Sequence, residues 1–219
     1  SVGYLALMPE AAPTGDQFEA RWQGWYRYFP WEDHRNGRPA IIDAELAPHL
    51  YTWASGNQQR LDRARIAFGL DGARWVEERV LERYELLYEA GLVAECARDA
   101  DLPPPATHLG ATMASDHRRI LATALARLRG KVKYRPVVFE LLQERFTLSA
   151  LQRTVEGILG LSLHTQNFRR ALEKTDLVKG TGRLETSTGG RPAELYEFRR
   201  DYVRGIAAPG LATPRKTPE

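Results

Sequence analysis

The sequence is poor in several things that would assign a function quickly. Cys96 is its only cysteine, so an internal disulfide and a multi-thiolate zinc site are both excluded. No run of about 18 apolar residues occurs, so no helix is expected to span a membrane. Ser1–Leu7 lacks the basic and hydrophobic regions of a signal peptide, and a reducing cytoplasm is the expected location. There is no Gly-rich loop followed by Lys-Ser or Lys-Thr, and no Gly-x-Ser-x-Gly elbow. His34, His49, His108, His117 and His164 have no partner at metal-ligand spacing. Metal-dependent and nucleophilic catalysis therefore have no local signature, and no enzymatic activity is expected.

What is present is an uneven charge distribution. The net charge is +3 over 219 residues. Residues 1–115 carry 11 Lys and Arg against 17 Asp and Glu; residues 116–204 carry 18 against 10. An acidic first half joined to a basic second half implies a division of labour. Clustered positive charge favours nucleic acid through counterion release. Two ordinary solvated surfaces are the bland alternative.

The basic half contains the most informative stretch, Phe146–Phe198. Leu148, Leu151, Val155, Ile158 and Leu159 recur at helical spacing. Thr147 suits an N-cap and Gly160 a left-handed helix end. After a short break, Gly160–Leu163, a second helix is expected from about His164 to Thr175. Phe168, Ala171 and Leu172 face inward. Thr165 stands at the leading end, and Gln166, Asn167, Arg169, Arg170 and Lys174 cover the remaining surface. Arg recognises guanine edges and phosphates; Asn and Gln recognise adenine. Strands over 177–185 and 193–198 flank a turn that includes Thr186, Ser187, Thr188, Gly190 and Arg191. Those hydroxyls, the Gly190 backbone and Arg191 would meet phosphates, and Pro192 suits an edge strand. Helix, turn, helix and hairpin in this order describe a winged helix-turn-helix that binds duplex DNA. A winged helix that binds only protein has the same pattern.

Elsewhere, Val2–Leu7 reads as a buried strand with nothing before it to pair with, so the chain is expected to start inside a domain. Phe18–Phe29 is dense in aromatics, expected in a core or interface, with an aromatic ligand box as the sharper alternative. Helices are expected over 44–54 (capped by Asp43), 58–68, and 73–90 (capped by Asp71 and stopped by Gly91). On the third, Val76, Val80, Tyr84 and Leu87 form the apolar line, while Glu77, Glu78, Arg79, Glu82, Arg83 and Glu85 face water. Arg98–Ser115, with three consecutive prolines, reads as a linker. Asp116 caps a helix over 117–129 that Gly130 ends. Lys131, Lys133 and Arg135 follow, placed to meet phosphates. Pro136 opens a short helix, 137–142, and residues 205–219 read as a loose tail.

From Asp116 onward, DHRRILATALARLRGKVKYRPVVFELLQERFTLSALQRTVEGILG, LHTQNFRRALEKTDLV and TGGRPAELYEF together resemble the Nudix-related transcriptional regulators of NAD metabolism, the NrtR-like family. The alphaproteobacterial repressors of de novo NAD synthesis are the nearest likeness, since SVGYLAL- and FPWED-like segments also occur there. The resemblance implies an α+β chain. Residues 1–35 would be the remnant of a Nudix-like domain, 36–97 a helical region, 98–115 a linker, 116–204 the winged-helix domain with its preceding helix, and 205–219 a tail. It also implies a homodimer on a palindromic operator, repression of NAD biosynthesis genes, and a nucleotide effector: NAD, ADP-ribose or ATP. The effector-binding residues are not identified by it. Tyr84–Leu92 imitates the end of a Nudix box, but Tyr84 replaces its Arg and Tyr88 one of its Glu residues. Leu70 and Val76 stand at its upstream Gly and Glu positions. A Nudix-type nucleotide hydrolase is therefore the disfavoured rival, and an amphipathic helix ended by Gly91 the preferred reading.

Overall fold

The computed structural model describes residues 5–9, 22–185 and 192–200. Two compact units emerge, one of residues 22–127 and one that begins at Leu128 and also takes in the described segment 5–9.

The first unit is mainly helical. A 3-10 turn, Trp25–Arg27, leads to a second, Pro30–Glu32. Then come a π-helical turn Ile42–Leu46, α1 (Ala47–Trp53), α2 (Gln58–Phe68), α3 (Val80–Glu89) and α4 (Ala94–Asp99). Its core gathers Phe29, Trp31, Leu50, Phe68, Tyr84 and Leu87. The aromatic run supplies core at Phe29, with Trp25 and Tyr28 packed against it, whereas Trp22 is exposed; Phe18–Arg21 lie outside the described residues. Asn57 caps α2 by accepting from the Arg60 N–H at 3.1 Å, and Gly69 ends it at φ 59°.

Three expectations here are corrected. Asp43 is not a cap: helical structure begins before it, and its carboxylate pairs with Arg38 at 2.9 Å. The helix expected over 73–90 starts only at Val80. The carbonyls of Val76 and Glu77 turn instead toward the Arg83 guanidinium, which they accept at 2.9 and 3.3 Å. Arg83 itself, expected in water, is fully buried, and Glu77 is buried with it. Gly91 does end the helix, at φ 72°, with the Leu92 N–H returning to the Leu87 carbonyl at 2.9 Å.

The stretch 98–115 is not a free linker. Leu109 is buried, Thr107 donates to the Leu92 carbonyl, and the Ala111 N–H reaches the Arg27 carbonyl. Gly110 sits at φ 80°, where a Cβ would lie 2.7 Å from the Tyr28 oxygen. A segment rich in proline lacks backbone donors for a regular ladder, but its remaining polar groups can still be satisfied by packing. Arg118, buried to 1%, completes this by donating to the Tyr28 and Leu109 carbonyls and to Glu95.

Arg118 belongs to α5 (His117–Tyr134), which runs straight through Gly130. Gly130 was expected to end it. The apolar stripe continues instead: Leu125, Leu128 and Val132 are all buried, which outweighs the roughly 1 kcal/mol that a mid-helix glycine costs. The two compact units divide within this helix, after Arg127.

In the second unit a 3-10 turn, Val137–Leu141, stands where a short helix was expected. β1 (Arg145–Thr147), α6 (Leu148–Leu159), α7 (Thr165–Glu173), β2 (Val178–Glu185) and β3 (Ala193–Phe198) follow. The sheet is antiparallel in the order β1-β3-β2, with Phe146 and Gly180 both opposite Tyr196. β3 is therefore central, and the edge-strand role expected of Pro192 is corrected. Pro192 stands just ahead of β3, where its missing N–H costs no ladder bond. The register shifts between Gly180 and Leu184, around Gly182 at φ 69°. Of the strand expected over Val2–Leu7, Val2–Tyr4 lie outside the described residues; Leu5–Pro9 form no strand, and Leu5 and Met8 are exposed. A strand with no neighbour cannot satisfy its backbone, and none is offered among the described residues.

His34 adds a pH dependence to the first unit. Its ring lies 4.1 Å from that of Trp75. Burial lowers its pKa to about 4; Glu32 opposes the shift, while Arg83 and Arg38 reinforce it. The unfolded chain takes up that proton near the ordinary value of 6.5, the folded chain near 4. Stability is thus fully present above about pH 6.5 and declines as pH falls toward 4. Urea midpoints at about pH 7 and about pH 5 should converge in His34→Gln, its slope against pH smaller by up to about one proton. An unaltered slope would refute the assignment.

Candidate nucleic-acid interface

α6 starts and stops as its end residues dictate. The Thr147 hydroxyl accepts the Ala150 N–H at 3.1 Å, and Gly160 closes the helix at φ 69°. Leu151, Val155, Ile158 and Leu159 are buried. Arg129, fully buried on α5, donates its Nε to the Ile158 carbonyl at 2.9 Å, one of the terminal carbonyls a helix leaves open.

α7 presents two faces. Phe168 and Leu172 are buried to 2% and 1%. Thr165, Gln166, Asn167, Arg169 and Arg170 are all exposed, as is Lys174 at the C-terminal end. Arg169, Arg170 and Lys174 form no ion pair among the described residues. Lys131 is exposed on the last turn of α5; Lys133 is half-buried and engaged within the chain. Thr186, Ser187, Thr188, Gly190 and Arg191, the expected tip of the wing, lie outside the described residues.

A groove of about 520 Å³ lies beside Arg169 of α7, lined also by Thr147, Leu148, Ser149, Ala193, Glu194 and Tyr196. Burial and a hydrogen bond to Glu194 push the Tyr196 phenol up, while the Arg169 cation pulls the other way. Sequence reading missed Ser149 and Tyr196, which face this groove, and Lys179 and Arg183, exposed on β2. A Lys-x-x-x-Arg spacing on a strand was the available signal for the last two.

The helix that imitates a Nudix box offers no carboxylate cluster. Glu85 is paired with Arg119 at 2.6 Å and Glu89 with Arg63 at 2.5 Å. Among the described residues no group of three His, Cys, Asp or Glu side chains could hold a metal ion. No helix among them is long and apolar enough to cross a membrane.

The order of α6, α7 and the β2–β3 hairpin is that of a winged helix, and residues 138–198 match the model of the NrtR DNA-binding winged helix domain. This segment is a winged helix similar to that of NrtR. The ADPR responsive transcriptional repressor NtrR of Acinetobacter baylyi is 38% identical over 91 residues, 41% of this chain and 36% of that protein. NrtR of Shewanella oneidensis complexed with a 27mer DNA matches at 35% identity over 48% of this chain and 46% of that one, with a TM-score of 0.40. A second structure of Shewanella oneidensis NrtR matches at 39% identity over 41% and 40%, with a TM-score of 0.36. The chain therefore spans less than half the length of the relatives it matches.

Proposed function

We propose that the chain is a nucleotide-responsive transcriptional repressor of NAD biosynthesis genes that binds operator DNA through its NrtR-type winged helix. The observation that carries this is α7: an apolar face locked inward, and an outer face of Gln166, Asn167, Arg169 and Arg170. That inventory can read base edges and fix phosphates together. The Acinetobacter relative is described as ADPR responsive, which favours ADP-ribose over NAD or ATP as the effector. As a homodimer, the chain would place two α7 helices in major grooves about 34 Å apart on a palindromic site. The effector would act by binding the DNA-competent and incompetent states with different affinity.

The test is fluorescence anisotropy with duplexes from promoters of NAD-synthesis genes and a scrambled duplex, with and without ADP-ribose, NAD and ATP. A promoter preference of about a thousandfold or more is expected. Binding to neither duplex at low salt would instead favour a protein-interaction module. Arg170→Ala should weaken promoter binding by about 1–3 kcal/mol while leaving the fold intact. Undiminished affinity would remove Arg170 from the interface.

A further inference from the structure

Leu163, the residue that leads into α7 by way of His164, is held in an unusual manner. Both of its backbone polar groups are taken by side chains of α6. Its N–H donates to Glu156 Oε1 at 2.8 Å, and its carbonyl accepts from Gln152 Nε2 at 3.0 Å. Gln152 Nε2 also donates to Glu156 Oε1 at 3.0 Å, which closes the ring. Both side chains are half-buried, one helical turn apart on the same face, and Leu163 is 7% exposed. Each hydrogen of the Gln152 amide then has its own acceptor.

We propose that Gln152 and Glu156 are positioning residues for DNA recognition: a two-residue latch that sets the entry of α7, and with it the direction in which Gln166, Asn167, Arg169 and Arg170 point. The proposal rests on the DNA-binding reading above. Phe168 and Leu172 hold α7 by apolar burial, which fixes its depth but is non-directional. Base-edge hydrogen bonds weaken steeply with angle, so they need the orientation fixed as well. The latch supplies direction through hydrogen bonds, two of them to a carboxylate and so stronger than neutral ones. Phosphate attraction tolerates a tilted helix; base readout does not. Loss of the latch should therefore reduce discrimination between sequences and leave general DNA affinity in place.

The full chain is compared with its Glu156→Leu, Gln152→Leu and Glu156→Gln variants. Glutamine at 156 keeps an acceptor oxygen for both bonds. Two readouts are taken: anisotropy on the promoter and scrambled duplexes, and hydrogen exchange of the Leu163 amide by NMR. Glu156→Leu and Gln152→Leu should lose about tenfold on the promoter duplex, the size of one misplaced base contact. Scrambled-duplex affinity should stay within about twofold, with an unchanged salt slope. Exchange at Leu163 should quicken about tenfold or more in Glu156→Leu. Glu156→Gln, whose bonds are neutral and so somewhat weaker, should lie closer to the unaltered chain than to Glu156→Leu in all of these. Full promoter affinity in Glu156→Leu, equal losses on both duplexes, or a Glu156→Gln as weak as Glu156→Leu would each overturn the proposal. If the unaltered chain prefers neither duplex, the DNA-binding reading fails and the latch's recognition role with it. The exchange result then decides separately whether the latch holds α7: unchanged protection in Glu156→Leu would overturn that too.

Discussion

Arg83→Met is expected to destabilise the unit of residues 22–127 by about 3–5 kcal/mol, the usual cost of deleting one partner of a buried ion pair. All five guanidinium hydrogens of Arg83 have acceptors. Nε and Nη2 meet the two Glu32 carboxylate oxygens at 2.6 and 2.8 Å. Nη1 meets the carbonyls of Ala67 and Val76, and Nη2 also that of Glu77. The Arg83 Cζ lies 3.8 Å from the centre of the Trp75 ring, which adds a cation–π contribution. Both members of the pair are 0% exposed, so solvent does not screen them. Removing the cation takes a donor from the Glu32 carboxylate and from the carbonyls of Ala67, Val76 and Glu77 at once. Most domains are stable by only about 5–15 kcal/mol, so the variant should sit close to its unfolding threshold. The five tryptophans, Trp22, Trp25, Trp31, Trp53 and Trp75, all lie in this unit, and their fluorescence in urea reports it alone. Arg83→Lys should recover little, because an ammonium cannot reproduce the fork. A double replacement, Glu32→Leu with Arg83→Met, should be less damaging than either single change. A midpoint for Arg83→Met equal to that of the unaltered chain would refute the account.

The second large effect is expected at Phe168. Phe168→Ala should cost the second unit about 3–5 kcal/mol, since it deletes a ring that is 2% exposed and opens a cavity behind α7. No tryptophan lies in that unit, so amide hydrogen exchange across α6 and α7 is the suitable measurement. Exchange should quicken throughout both helices, and promoter and scrambled duplexes should both be bound more weakly. Arg170→Ala provides the contrast. Arg170 is exposed, so its loss should change stability by no more than about 0.5 kcal/mol while still reducing promoter affinity. If Phe168→Ala left exchange untouched, the division of α7 into a buried and a reading face would be wrong.

The two faces of α7 and the ends of α6 were legible in the sequence because their causes are local. Thr147 caps through its own hydroxyl, Gly160 turns through its own lack of a Cβ, and a 3.6-residue period needs no distant partner. The same holds for Gly69 and Gly91 as helix stops. The sequence also carried the charge asymmetry and the order helix, turn, helix, hairpin, which together point to duplex DNA.

What remained illegible depended on residues far apart in the chain. Arg83 reads as a solvent-facing helix residue until Glu32, 51 positions away, is brought against it. Arg118 and Arg129 are likewise buried by carbonyls of remote segments, at Tyr28 and Ile158. The start of α3, the packing of 98–115, the continuation of α5 through Gly130 and the central place of β3 were all decided in this way. The latch of Gln152 and Glu156 belongs with them, since its target is the backbone of a residue beyond the helix end. Periodicity and turn chemistry, set by each residue's own conformational preferences, determined where the helices and hairpin of the winged helix lie in this protein. Which charged and polar groups leave water was decided only by the tertiary structure. A buried polar group is tolerated where acceptors converge on it, and convergence is a property of the folded chain.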